Sequence, residues 1–230
     1  FNNLGLAIID EQHKFGVAQR SKLWLKNKFP PHVLIMTATP IPRTLAMTAY
    51  GDLDTSVLDE LPKGRGEIKT IVVPDDKRSE VVQKIIQETN EGRQVYWVCP
   101  LIEESEELNF EAAETTFKTL SSELPTKKIG LVHGKLKPNI KTKAMVDFKN
   151  NIHEILVATT VIEVGVDVPN ATIMVIENSE RLGLSQLHQL RGRIGRGEHK
   201  SLCVLIYKKP LNDIAKQRLN TVRKSVDGFY

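Results

Sequence analysis

Four short polar clusters are the parts of this chain that could do chemistry. The first is Asp10-Glu11-Gln12-His13, after the apolar stretch 4–9. Two adjacent carboxylates at a strand end can divide two tasks. One can hold Mg2+, usually through water, because that ion dehydrates reluctantly. The other can orient and deprotonate an attacking water. The plainer alternative is an acidic turn. The second cluster is Thr37-Ala38-Thr39-Pro40, after the apolar stretch 33–36. Its hydroxyls can bond to the acidic cluster or relay its state to a partner domain, or they can simply cap the helix that follows.

The third cluster lies in Val157-Ala158-Thr159-Thr160-Val161-Ile162-Glu163-Val164-Gly165-Val166-Asp167. Hydroxyls and backbone amides suit a nucleic-acid phosphate, a contact that fixes position but not sequence. Asp167 could accept from a ribose hydroxyl. The alternative is a strand ending in a glycine turn. The fourth cluster is Gln189-Leu190-Arg191-Gly192-Arg193-Ile194-Gly195-Arg196-Gly197. Three arginines among glycines are costly to place in a core. If the stretch is helical, Arg193 and Arg196 converge on one anion. Guanidinium groups at a γ-phosphate stabilise the charge of the transferring group, and their planar fork binds oxygens bidentately. The alternative is a basic surface turn. Gly130-Leu131-Val132-His133-Gly134-Lys135-Leu136 imitates a phosphate-binding loop but has one residue too few between its glycines and Leu136 where Ser or Thr belongs. It reads as a strand end and turn.

These clusters need elements to hold them. Apolar runs at 68–73, 94–99, 128–132, 154–158, 172–176 and 202–207 alternate with helical patterns at 77–91, 105–122, 138–149, 185–193 and 211–223. Such alternation predicts an α/β fold, a parallel sheet with helices on both faces. Ligands of such sheets sit beyond the carboxyl ends of the strands. Upstream, 4–9 and 33–36 read as buried parallel strands, with helices at 17–28 and from Pro42 to about 50, and 61–66 is rich in chain breakers. Two strands cannot cover both of their apolar faces. Residues 1–61 are therefore expected to be the rear of a larger domain. With its sheet neighbours gone, the segment should be disordered, repacked on the second domain or paired with another chain. A well-ordered, uncovered two-stranded remnant is not expected.

The chain has 230 residues, with 40% hydrophobic and 26% charged residues, the balance of a globular protein with a real core. No apolar run approaches the roughly 20 residues that span a bilayer, and the first residues do not read as a leader, so no membrane partner is expected. Cys99 and Cys203 each lie in an apolar run and read as buried free thiols in a reducing compartment. The net charge of +4 is uneven: residues 181–230 carry eleven Lys or Arg against three acids, and 103–114 carry six glutamates. The basic end suits phosphates or is a solvated helix face; the glutamates read as a solvated loop and helix start.

The order and separation of the four clusters resemble the later motifs of superfamily 2 helicases. Asp10-Glu11-Gln12-His13-Lys14-Phe15-Gly16-Val17, Thr37-Ala38-Thr39-Pro40-Ile41-Pro42-Arg43, Tyr96-Trp97-Val98-Cys99-Pro100-Leu101-Ile102-Glu103-Glu104-Ser105 and Gln186-Leu187-His188-Gln189-Leu190-Arg191-Gly192-Arg193 are similar to the RecG family of bacterial ATP-dependent DNA helicases. Gln12, and the run 53–62, favour that family over the transcription-repair coupling factors. Lys14 stands where the family usually has Arg.

The resemblance implies a RecA-like fold and a division into a remnant of motor domain 1 (1–61), a linker (62–66), motor domain 2 (67–209) and the start of a basic helical coupling region (210–230). It implies an ATP-driven translocase on double-stranded DNA that reverses stalled forks and migrates junctions in recombination and repair. ATP and Mg2+ are the implied cofactors. The implied partners are forks, Holliday junctions and single-stranded DNA-binding protein, in the bacterial cytoplasm. By motif, Asp10 would hold Mg2+ and Glu11 would activate water. Gln12 and His13 would sense the nucleotide and link it to Thr37 and Thr39. Thr159 and Thr160 would touch the DNA backbone. Gly165 and Asp167 would lie near ATP, and Gln189, Arg193 and Arg196 would reach its γ-phosphate. No stretch of these residues matches a phosphate-binding loop, so the chain alone is expected to be inactive and to hold neither ATP nor Mg2+ tightly. The competing readings are a DNA-binding module without a motor cycle and a transcription-coupled relative.

Overall fold

The computed structural model describes residues 3–10, 31–37, 54, 56, 58, 66–100, 106–159, 168–197 and 199–224; of 106–109 only the backbone is described. The chain divides into two compact units, Phe1–Val57 and Leu58–Gly228.

In the first unit, β1 (Leu6–Asp10) and β2 (His32–Met36) pair in parallel, with Leu6 opposite His32 and Asp10 opposite Met36. Successive side chains of a strand point to opposite faces. One face carries Ala7 and Ile9, both buried, with Val33 and Ile35 beside them. The other carries Leu6, Ile8, Leu34 and Met36, which are 54%, 59%, 49% and 41% exposed. The described strands pair in register with one face buried and the other exposed, and the greater part of residues 1–60, on which the expectation for this segment bears, lies outside the described residues. The helices expected at 17–28 and 42–50 lie outside the described residues.

The second unit is built on six parallel strands: β3 (Ile68–Pro74), β4 (Gln94–Val98), β5 (Ile129–Val132), β6 (Ile155–Ala158), β7 (Ala171–Ile176) and β8 (Ser201–Tyr207), in the order β3-β8-β7-β4-β6-β5. Between them run α1 (Arg78–Asn90), α2 (Glu106–Glu123), α3 (Pro138–Lys149) and α4 (Leu184–Arg191), and α5 (Asp213–Lys224) follows β8. This is the expected α/β sheet with helices on both faces. Trp97, Val95 and Cys99 pack on one face with Val81, Val82 and Ile85 of α1 and Ala113 and Leu120 of α2. Tyr96 and Val98 point the other way, into a cluster with Phe148 of α3, Leu187 and Leu190 of α4 and Leu219 and Val222 of α5. A strand covered on both faces must be apolar throughout, and β4 and β6 are buried at every position.

Local chemistry sets the element ends. Pro138 starts α3, where its missing N–H costs nothing. After α1, Gly92 takes φ 83°; its N–H donates to the carbonyl of Thr89, and that of Arg93 to the carbonyl of Glu88. This pair of bonds reverses the chain into β4 and asks for a left-handed residue, which Gly supplies without strain. The first residue of β4, Gln94, is buried, and its Nε2 donates to the carbonyls of Phe148 (2.6 Å) and His153 (2.8 Å), tying β4 to the end of α3. The Tyr96 and Phe148 rings meet at 4.9 Å. The segment from 210 onward does not stand apart from the sheet: Ala215, Leu219 and Val222 of α5 are buried.

Candidate functional site

Among the described residues, Asp10, Thr37 and Thr159 fall at carboxyl ends of parallel strands, whereas the arginine cluster follows α4 and precedes β8, at the amino-end side of its sheet. In the first unit, Asp10 is the exposed last residue of β1, and Thr37 comes one residue after its register partner Met36, so both lie at the carboxyl edge of the ladder. Glu11, Gln12, His13 and Thr39 lie outside the described residues.

In the second unit, Thr159 follows β6 and is fully buried. Its N–H donates to the carbonyl of Val132 at the end of β5 (3.2 Å), while its Oγ1 has no partner among the described residues. Thr160, Gly165 and Asp167 lie outside them. The arginine cluster departs from its expected form. Helix α4 ends at Arg191, two residues short of the expected end, and 192–197 is a turn in which Gly195 takes φ 75°. Arg193 and Arg196 are therefore presented by a loop and not by successive turns of a helix. Gln189 is exposed on α4, Arg193 is half-buried and Arg196 is exposed.

The backbone of this loop lies against the approach to β3. The Gly66 N–H donates to the carbonyl of Gly197 (3.1 Å), and a β-carbon at residue 66 would stand 2.5 Å from the His199 carbonyl oxygen and 2.8 Å from that of Gly197. One at Gly195 would stand 2.8 Å from the Ile68 side chain. Only glycine permits these approaches.

Arg191 contradicts the expectation that the three arginines avoid the core. It is 4% exposed, and its guanidinium donates to the carbonyl of Val222 in α5 (2.8 Å) and to Nδ1 of His188 (2.7 Å). A buried guanidinium is tolerable when its donors are satisfied. The arginines thus divide, with Arg191 anchoring α4 to α5 while Arg193 and Arg196 remain in the loop.

Two further polar residues at strand ends escaped sequence reasoning. His133 follows β5, is 2% exposed and lies 3.6 Å from the Glu114 carboxylate. Burial, opposed by Glu114, holds its pKa below the usual 6.5. Glu177 follows β7 and accepts from Arg78 Nε (3.2 Å) and from Thr116 Oγ1 (3.3 Å). The cue that singled out Asp10, a carboxylate after an apolar run, was equally present at Glu177. Cys99 and Cys203 are buried free thiols, as expected, and burial pushes both up to about 12, which leaves them unreactive. Among the described residues, no group of three or more His, Cys, Asp or Glu is placed to hold a metal, and no helix is long and apolar enough to cross a membrane.

The parallel sheet and its sequence define the chain as a helicase domain. The model of the helicase conserved C-terminal domain matches residues 77–198, and the chain belongs to that family. Over its whole length the chain is 60% identical to the ATP-dependent DNA helicase RecG of Escherichia coli K12 and 59% identical to that of Haemophilus influenzae, and it spans 34% of the length of each. Among solved structures it is similar to RecG bound to a three-way DNA junction, with a TM-score of 0.79 and 44% identity, covering 100% of this chain and 29% of that one. The chain thus spans about a third of the relatives it matches.

Proposed function

We propose that this chain is the second-motor part of an ATP-dependent double-stranded DNA translocase that remodels branched DNA, reversing forks and migrating junctions in bacterial recombination and repair. The observation that carries the reading is the arginine loop, with Arg193 and Arg196 borne on glycine-packed backbone in a helicase-family sheet. The 60% identity to a DNA helicase and the likeness to RecG on a junction support the substrate class.

In this reading residues 1–61 belong to the first motor domain, 62–66 form the linker, 67–209 the second motor domain, and 210–230 begin the coupling region. ATP supplies the phosphoryl group whose transfer to water drives movement. The side chains fit that group in type. Asp10 is an exposed carboxylate at a strand edge, suited to a Mg2+ that keeps most of its water. Glu11 would orient the attacking water, and Gln12, His13, Thr37 and Thr39 would pass the nucleotide state between domains. Gln189, Gly165 and Asp167 would contact the nucleotide, and Arg193 and Arg196 would stabilise charge on the transferring group. Thr159 and Thr160 would hold DNA backbone, positioning it without reading sequence. Single-stranded DNA-binding protein is a proposed further partner and the cytoplasm the proposed location.

The test is DNA-stimulated ATP hydrolysis by the full-length protein. Arg193→Ala and Arg196→Ala are each expected to lower kcat by roughly 10³-fold or more, the scale of arginine fingers. Turnover that survives both substitutions would refute the reading. The 230-residue chain alone is expected to turn over no ATP, because it contains no phosphate-binding loop pattern.

A further inference from the structure

Glu177 marks the point where the chain leaves β7 and turns toward α4. Its backbone N–H donates to the Val98 carbonyl at the end of β4 (3.0 Å). The next residue, Asn178, takes the left-handed φ of 46°, and a short 3-10 turn, Ser179–Arg181, then leads to Gly183 and α4. Helix α4 packs on the face shared with α3 and α5. The Glu177 side chain goes the other way, to the helices of the opposite face. Arg78, the first residue of α1, donates Nε to Glu177 (3.2 Å) and Nη1 to both oxygens of Glu123 on α2 (3.2 and 3.1 Å). The same guanidinium lies 5.1 Å from the centre of the fully buried Trp97 ring. Thr116 of α2 donates its hydroxyl to the second Glu177 oxygen, and Cys99 Sγ lies 3.9 Å from it.

This cluster is built as a clamp. A planar guanidinium between two carboxylates and over an indole has few alternative positions, and a bifurcated charged contact of this kind fixes orientation as well as distance. Glu177 is 18% exposed and Arg78 25% exposed at the side chain, so the ion pair is only partly screened by water. The remaining residues of the turn are pinned independently. Ser179 Oγ donates to the Ile206 carbonyl (2.9 Å), and the Lys208 N–H donates to Glu180 (3.2 Å). Glu177 is therefore the residue through which α1 and α2 act on the start of the path to the arginine loop.

We propose that Glu177, held by Arg78 and Thr116, is a positioning residue for the arginine loop: it fixes the left-handed turn at Asn178 and so sets where α4, and beyond it Arg193 and Arg196, begin. The proposal rests on the reading of these arginines as nucleotide-contacting groups, but its structural half stands apart from that reading. Glu177 touches no nucleotide and acts only through the turn.

Amide hydrogen exchange on this chain tests that half. Glu177→Ala is expected to speed exchange of α4 amides by about tenfold while β4 and β7 amides keep their protection, because local opening is separable from global unfolding. Glu177→Gln, which keeps the shape and one acceptor, is expected to give a smaller effect of the same kind and serves if the alanine variant fails to fold. Glu123→Ala removes the other carboxylate on Arg78 and is expected to leave α4 unchanged. Unchanged α4 exchange in both Glu177 variants, or acceleration spread evenly over β4, β7 and α4, overturns the proposal. In the full-length protein, Glu177→Ala is expected to lower kcat for ATP hydrolysis about tenfold with KM for ATP within twofold, the pattern of a lost transition-state contact. A raised KM with unchanged kcat also overturns it. If the unsubstituted full-length protein shows no DNA-stimulated hydrolysis, the proposed function fails while the exchange result still decides the clamp.

Discussion

The two-stranded ladder and the six-stranded sheet are written in the same residues but stand in different surroundings. Leu-Ala-Ile-Ile-Asp and His-Val-Leu-Ile-Met are as apolar as Gln-Val-Tyr-Trp-Val or Ile-Leu-Val-Ala. In β4 and β6 every position is buried, whereas β1 alternates between exposed and buried residues. An apolar run states what cover a strand requires; whether both layers of cover exist depends on helices elsewhere in the chain. The six-stranded unit supplies them, α1 and α2 on one side and α3, α4 and α5 on the other. Around β1 and β2 the Ala7 and Ile9 face is buried and the Leu6 and Ile8 face is not.

Removing a large side chain from the doubly covered sheet should have the largest effect. Phe148→Ala deletes a fully buried ring that packs at a tilt against Tyr96, and it is expected to destabilise the second unit by about 3–5 kcal/mol in urea unfolding. Gln94→Ala comes next. It removes the side-chain donor to the Phe148 and His153 carbonyls, of which the first keeps the N–H of Asn151, and is expected to cost about 1–3 kcal/mol in the same measurement.

A pH series sharpens the comparison further, because His133 belongs to the sheet. Its folded pKa is depressed by burial below the usual 6.5, so the unfolded chain binds the proton more readily. This group's contribution is complete above about pH 6.5 and is lost as pH falls below that value toward the folded pKa. Thermal melts from pH 7.5 to 5 should show a slope that His133→Gln reduces; an identical slope in the variant would mean that the imidazole titrates as if exposed. The smallest effect is expected in the ladder. Ile8→Ala should change stability by no more than about 0.5 kcal/mol, the ordinary range for an exposed position. If it cost as much as Phe148→Ala, the face of Leu6 and Ile8 would be covered after all and the contrast between the two regions would disappear.

Much of the second unit was legible in the sequence. Each of its strands and helices falls within two residues of its expected range, because apolar runs and 3.6-residue patterns alternate over most of it. Pro138 marked its helix start correctly. The arginine cluster was found, but its geometry was not. Spacing suggested a helix through Arg193, whereas Gly192 and Gly195 end it at Arg191, and the φ of 75° at Gly195 is invisible to periodicity. The burial of Arg191 was missed because its acceptor, the Val222 carbonyl, lies thirty-one positions away in the chain. The Arg78 and Glu177 pair spans ninety-nine positions, and no local pattern announces it. Strand and helix are local properties that a sequence displays openly. A polar contact between distant segments is set by topology, and it became visible only once the order β3-β8-β7-β4-β6-β5 was known.

The meeting of Gly66 with Gly197 has a mechanical consequence. Two main chains touch there with nothing between them, joined by a single hydrogen bond, so the stretch entering the sheet and the stretch bearing Arg196 behave as one strap. A pull applied ahead of β3 would reach the backbone of the arginine loop through peptide planes alone, with no side chain in between to absorb it. Even one methyl group at residue 66 would act as a wedge, forcing the strap open from within.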